Sequence, residues 1–180
     1  GSEGTLGLVV EARVNLVPLP NATAVLTIEF DDLLDALGAT PALLAHRPAA
    51  IEVMDRFILD HARESPVLDA VRRSVLRGET PGALLCVELY ADDAAELPGR
   101  LEAIERDLAA RGITASTSRA LDPAAQARIW QLRQSSLGLS MAMKGDAKSL
   151  SFVEDTAVAP ERLRDYIARF LEIVRRHGST

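Results

Sequence analysis

The sequence predicts an α+β fold, a ferredoxin-like antiparallel sheet with helices packed on one face. Three observations carry this. Beyond residue 20, candidate strands and helices follow one another as strand–helix–strand, strand–helix–strand and helix–strand–helix. The strand candidates are short runs of branched apolar residues, such as "TAVLTIEF" at 23–30 and "GALLCVELYA" at 82–91. The helix candidates carry their own start and stop signals: Asp122–Pro123 before one, Gly112 and Gly178 after two others.

In chain order, "LGLVVEARVNLVPLP" alternates Val10, Ala12, Val14 and Leu16 with Glu11, Arg13 and Asn15, the pattern of a half-buried strand or strand pair. Pro18 and Pro20 end it, and a boundary falls near residue 20. The strand at 23–30 leads into a helix capped by Asp31 or Asp32, with Gly38 and Pro41 as points where it would break. "AAIEVMD" at 49–55 is a second strand and "RFILDHARE" a short helix; "SPVLDAVRRSVLRG" continues as helix or loop. The strand at 82–91 follows, then a helix with its regular part from Leu97 to Gly112, then a strand in "ITASTSRAL". Asp122 and Pro123 open a helix bearing Ile129, Trp130, Leu132 and Arg133. A strand is expected at 149–155. The last helix starts at Pro160, with Leu163, Tyr166, Ile167, Phe170, Leu171 and Val174 at helical spacing. The chain stops on a helix, so a closing strand is expected outside it.

Composition excludes several function classes. The chain has 180 residues, 48% hydrophobic, which supports a real core and argues against disorder. A net charge of −6 lacks the basic face that nucleic acid requires. No apolar run approaches the ~18 residues of a membrane span. The lone Cys86 sits in an apolar strand and reads as a small core residue in a reducing, cytoplasmic setting. His46, His61 and His177 are too far apart for any standard metal spacing, and no cysteine pair assists them. No nucleophile elbow, Walker lysine or dinucleotide fingerprint is present. The opening glycines have only a G-x-x-G-x-x-G spacing, which turn glycines also produce. No catalytic residue or metal ligand is assigned.

That opening acquires meaning from a resemblance. "GSEGTLGLVVEARVNLVPLP" resembles the closing segment of the FAD-binding domain in FAD-linked oxidases of the vanillyl-alcohol oxidase type, with Gly1, Ser2, Glu3, Gly4, Thr5, Leu6 and Gly7 as that family has them. "PAAIEVMD" (48–55), "IWQLRQ" (129–134) and "SFVEDTAVAPERL" (151–163) continue it over nearly the whole chain. The chain looks most like the branch that oxidises D-2-hydroxy acids such as D-lactate, glycolate and D-2-hydroxyglutarate. Within that branch it looks closest to members fused to an iron–sulfur oxidoreductase region.

The resemblance implies that residues 1–20 end an FAD-binding domain and that 21–180 are the cap, or substrate, domain, cut short at its C-terminal end. The chain then reads as a piece of a longer protein, inactive alone and not expected to retain FAD. Gly1, Ser2, Gly4, Thr5, Gly7 and Leu8 would border the flavin. Arg133 matches the arginine that dicarboxylate-oxidising relatives use for the substrate carboxylate, and Lys148 matches their second basic residue. Leu137 stands where those relatives have a threonine. Chemically, a planar guanidinium is the natural bidentate partner of a carboxylate. The catalytic base and any metal ligands belong to a histidine-rich block that this chain lacks.

Hydride would pass from C2 of the hydroxy acid to flavin N5, and electrons would leave through the iron–sulfur part to an acceptor that the sequence does not name. Exposed strands in 1–20 would be free to pair with a second copy. The whole protein would be cytoplasmic, either free or peripheral to the inner face of the membrane. A non-catalytic small-ligand or dimerisation module on the same fold remains the alternative. Glu52 and Asp55, three apart on one strand, cannot both face inward and read as structural, as do Trp130 and the Glu154–Asp155 pair.

Overall fold

The structure, a computed structural model, describes residues 4–141, 153 and 156–178. Its centre is a four-stranded sheet in the order β2-β3-β1-β4. The strands are β1 (Ala22–Phe30), β2 (Ala50–Asp55), β3 (Ala83–Ala91) and β4 (Ser116–Ala120). All neighbours are antiparallel, with Leu26 opposite Val87, Val25 opposite Ala120 and Glu52 opposite Cys86. Helix α1 (Leu33–Leu44) joins β1 to β2, and α4 (Leu97–Ala110) joins β3 to β4. Each pair of linked strands is parallel with another strand between them, which is the ferredoxin-like arrangement of split strand–helix–strand units.

The α+β class and the ferredoxin-like sheet agree with the sequence, but the expectation of helices on one face is corrected. Helices α1 and α4 cover one face, packing Ala36, Leu43, Leu101 and Ile104 onto Leu26, Ile28, Leu85 and Val87. The other face is also buried. Helices α2 (Arg56–His61), α3 (Pro66–Val75), α5 (Pro123–Gln134) and α6 (Ser136–Met141) lie outside the split units. They bring Leu59, Val75, Ile129, Leu132 and Leu139 onto Val25, Met54, Leu84 and Cys86. The physical reason is visible in β1 and β3: apolar residues stand at consecutive positions, so each face needs a cover.

A second correction concerns the first twenty residues. The described part, 4–20, contains no strand. No strand of the sheet pairs with it, and Leu6, Val10, Leu16 and Leu19 are about nine-tenths exposed. Alternation states which side chains would share a face, but a strand exists only where a neighbour takes its backbone bonds. The strand expected at 149–155 lies outside the described residues, Val153 apart.

Most local signals hold. Asp32 caps α1 by accepting from the Leu34 and Asp35 amides at 2.7 and 3.4 Å. The helix runs through Gly38 and Pro41. Pro41 removes only one donor, near the end, and a side chain at Gly38 would come 3.2 Å from Arg164 Cδ of helix α7 (Leu163–Arg176). At Gly38 the Arg164 side chain of α7 lies close against α1. Ser65 caps α3, resolving "SPVLDAVRRSV" as helix. Gly112 and Gly178 end α4 and α7 at φ of +70° and +71°, a backbone that glycine adopts at little cost.

Two polar features at the sheet carry tests. Glu105 on α4 accepts from Arg119 Nε (3.1 Å) and from Thr117 Oγ1 (2.8 Å), both on β4. The Arg119 bond holds its carboxyl below the usual range, with burial opposing. A carboxylate lowered in the fold stabilises fully above its unfolded pKa of ~4.3 and loses that contribution as pH falls through the folded value. Glu105→Gln should therefore show a shallower loss of stability on acidification below about pH 5. At neutral pH the change should stay within ~1 kcal/mol. Urea unfolding at stepped pH measures this, and parallel curves for both proteins would contradict it.

Cys86 is fully buried in β3, and burial, with the Glu52 charge adding, pushes its thiol up to about 12. A thiolate is the reactive species. Iodoacetamide at neutral pH should label Cys86 only across the unfolding transition, and labelling of the folded protein would refute this.

Candidate functional site

Arg133 stands in the last turn of α5, and three features position it. Asp122 caps the helix by accepting from the Ala125 amide at 2.8 Å. Buried Ile129 and Leu132 hold its inner face on the sheet, with half-buried Trp130 beside them. Gln126 ties it to β1, accepting from Thr23 Oγ1 at 2.7 Å and donating to the Thr23 carbonyl at 2.9 Å. The cap, the apolar face and the glutamine together fix where the guanidinium emerges.

It emerges beside edge strand β2. Arg133 Nε donates to Glu52 Oε2 at 2.8 Å, with the two side chains 40% and 39% exposed. Among the described residues, nothing else bonds the guanidinium. Glu52 holds the group through Nε, and among the described residues its Nη nitrogens carry no hydrogen bond. Ser136 Oγ donates to the Arg133 carbonyl at 2.6 Å. Further along the sheet face that bears Glu52, Glu88 stands on β3, where burial outweighs a hydrogen bond from Tyr90 and raises its carboxyl.

Arg133 also lines a cavity of about 460 Å³ at the β2 edge. Leu33 and Leu37 of α1, Val53 and Met54 of β2, Ile58 of α2, and Leu163 and Ile167 of α7 make most of its wall. Its remaining polar walls are Asp55 and Ser136. Asp55 accepts from the Ile58 amide at 3.0 Å and caps α2. Glu52 and Asp55 thus divide as their spacing requires: one binds Arg133 and the other ends the strand.

The other residues singled out in the sequence do not converge on this cavity. Lys148, Gly1 and Ser2 fall outside the described residues, as do Glu154 and Asp155. Gly4, Thr5, Gly7 and Leu8 are exposed and far along the chain from the cavity, none of whose described lining comes from residues 4–20. His46 Nε2 lies 3.1 Å from Asp107 Oδ2, and His61 Nδ1 lies 2.8 Å from the Phe57 carbonyl. Among the described residues, no group of three His, Cys, Asp or Glu side chains is placed to hold a metal. Sequence spacing did not reveal Glu52 as the partner of Arg133, 81 residues away, or α7 as a wall. Only the block containing "IEVMD" drew attention to that strand.

Residues 19–180 match the family described as FAD linked oxidases, C-terminal domain. The chain belongs to that family. It is 34% identical over 99% of its length to a D-2-hydroxyglutarate dehydrogenase of Pseudomonas putida and, at the same identity and coverage, to one of Escherichia coli. A D-lactate dehydrogenase of Anaerostipes hadrus is 33% identical over 61 residues, which are 33% of this chain and 13% of that protein. The chain spans 18% of the length of the two D-2-hydroxyglutarate dehydrogenases. As a member of the FAD-linked oxidase family it can be tested for fit to the flavin. Gly4 has a φ of +76°, and nothing lies within 4 Å of where a side chain at Gly4 or Gly7 would begin. Such a backbone admits close approach by a phosphate or ring. The described loop leaves open space beside Gly4 and Gly7. Among the described residues, no helix is long and apolar enough to cross a membrane.

Proposed function

We propose that this chain is the substrate-side part of a longer FAD-dependent dehydrogenase that oxidises a D-2-hydroxy acid to the 2-oxo acid. The observation that carries this is the Glu52-held guanidinium of Arg133 on the wall of a ligand-sized cavity. It occurs in a chain matched end to end by proteins named D-2-hydroxyglutarate dehydrogenase. In this reading residues 1–20 end the FAD-binding domain and residues 21–180 are the cap.

The substrate carboxylate meets the Nη pair of Arg133, because Glu52 occupies Nε. Lys148 adds a second positive charge to the same carboxylate. The charge-assisted fork fixes the acid's orientation, and positioning of this kind removes entropy from the barrier. Gly1, Ser2, Gly4, Thr5, Gly7 and Leu8 border the flavin, which when bound supplies the acceptor for the C2 hydride. The hydroxyl proton leaves to a base outside this chain. Electrons pass on through an iron–sulfur part of the same polypeptide, in the cytoplasm; the support for this is the resemblance to fused members and the greater length of the relatives.

The test is a screen of D- and L-2-hydroxy acids on the full-length protein with an artificial dye as acceptor. Dye reduction by D acids, with bleaching of the flavin absorbance under anaerobic conditions, is expected. No bleaching by any hydroxy acid would end this reading.

A further inference from the structure

We infer that the buried Gln126–Thr23 pair is a positioning element for substrate binding: it sets where α5 lies on the sheet, and so where Arg133 meets the C1 carboxylate. This rests on the reading above that Arg133 anchors that carboxylate.

Arg133 follows Gln126 by seven residues on α5. At 3.6 residues per turn the two share one side of the helix, about 10 Å apart along its axis. Each end of that stripe is tied to a different strand. Arg133 Nε donates to Glu52 of β2, and Gln126 bonds Thr23 of β1, with β3 running between those strands. Helix α5 therefore lies across the sheet and is fixed at two points. The glutamine end is the more fully bonded. Its Oε1 accepts from Thr23 Oγ1 at 2.7 Å, and its Nε2 donates to the Thr23 carbonyl at 2.9 Å and to the Leu121 carbonyl at 3.3 Å. Both hydrogens of the amide are thus used.

A buried glutamine adds little net stability to a helix attachment, because the amide gives up water to make these bonds. What it adds is register, the best-attested use of a buried polar group. The buried residues of α5 are Gln126, Ile129 and Leu132. The two apolar side chains attract without direction, so by themselves they tolerate small slides and rotations of the helix. Hydrogen bonds are directional, and those of Gln126 do not. A tilt about the Gln126 end is magnified at Arg133, and misplacement of a binding group by ~1 Å can lower a rate by about 100-fold.

The experiment measures kcat/KM of the full-length flavoprotein on its best D-2-hydroxy acid, with a dye acceptor. Gln126→Met and Thr23→Val are each made in the wild type and in Arg133→Ala. In the wild-type background Gln126→Met should lower kcat/KM by roughly 10- to 100-fold. Thr23→Val removes the hydroxyl donor alone and should lower it less, whereas Thr23→Ser keeps that donor and should stay near wild type. In the Arg133→Ala background each substitution should change kcat/KM by less than about twofold, because no guanidinium is left to misplace. Equal losses in both backgrounds mark an ordinary structural pair and overturn the inference. Wild-type kcat/KM in Gln126→Met overturns it too. If Gln126→Met loses flavin or its cooperative melt, Thr23→Val decides by the same comparison, and loss of both in that variant as well overturns the inference. Wild-type kcat/KM in Arg133→Ala, or no turnover of any hydroxy acid, overturns the reading of Arg133 and this inference with it.

Discussion

Arg133→Ala in the full-length protein is expected to lower kcat/KM on its best D-2-hydroxy acid by about 30- to 1000-fold, the equivalent of roughly 2–4 kcal/mol for a lost charge-assisted carboxylate contact. Folding should barely change. The Arg133–Glu52 pair is 40% and 39% exposed on its two sides, and such pairs contribute ~1 kcal/mol or less. Arg133→Lys should recover little, because an ammonium keeps the charge and loses the planar fork. Glu52→Gln should cost less than Arg133→Ala. The amide oxygen still accepts from Nε, so the loss should be mainly in KM, through looser orientation of the guanidinium. Arg128→Ala is the control. It lies on the same helix, about 140° around at 3.6 residues per turn, and lines a different cavity with Ser74 and Ser118. If Arg133→Ala and Arg128→Ala both keep wild-type turnover, Arg133 does not bind the substrate.

Gly82→Ala should destabilise the domain by more than about 3 kcal/mol, among the largest effects of any single methyl group here. A Cβ at Gly82 would sit 1.9 Å from the Asp31 carbonyl oxygen, 2.4 Å from its carbon and 2.8 Å from the Asp32 nitrogen. All three are backbone atoms, so no side chain can swing away. They belong to the turn from β1 into α1, where Asp32 caps the helix. The Gly82 carbonyl also accepts from the Arg56 amide at 2.9 Å, tying the start of β3 to the start of α2. Relieving the clash must pull apart a junction that serves two central strands and two helices. The melting temperature should fall by roughly 6–12 °C for a domain of this size. Gly78→Ala, with nothing within 4 Å of its Cβ, should change stability by no more than ~0.5 kcal/mol. Equal melting temperatures for the two variants would contradict this expectation.

Several features of the fold were set by local chemistry and are legible without coordinates. Asp122 and Pro123 start α5 because the carboxylate takes an amide that no helical carbonyl can reach, and proline has none to leave over. Gly112 and Gly178 end helices because their positive φ costs glycine little. The apolar runs at β1 and β3 carry the composition of strands. Their unbroken apolarity also signalled that both faces are covered, a signal that the expectation of a single covered face passes over. The arginine on α5 could be singled out because guanidinium chemistry belongs to the residue itself and its neighbours stand in a recognisable block.

What the chain could not disclose locally is what meets what. Residues 10–16 alternate as a strand should, yet alternation specifies faces and not a partner, and the sheet offers this segment no neighbour. Gly38 and Pro41 weaken a helix taken alone, yet α1 passes through both because six of its side chains are buried. Glu52 reads as an ordinary strand residue until the sheet and α5 bring it 2.8 Å from Arg133. The cavity is assembled from α1, β2, α2, α5, α6 and α7. Caps and glycine turns act over three or four residues and are therefore written in short words of sequence. An ion pair across 81 residues, or an apolar space with walls from six elements, exists only once burial of both sheet faces has fixed where each element lies.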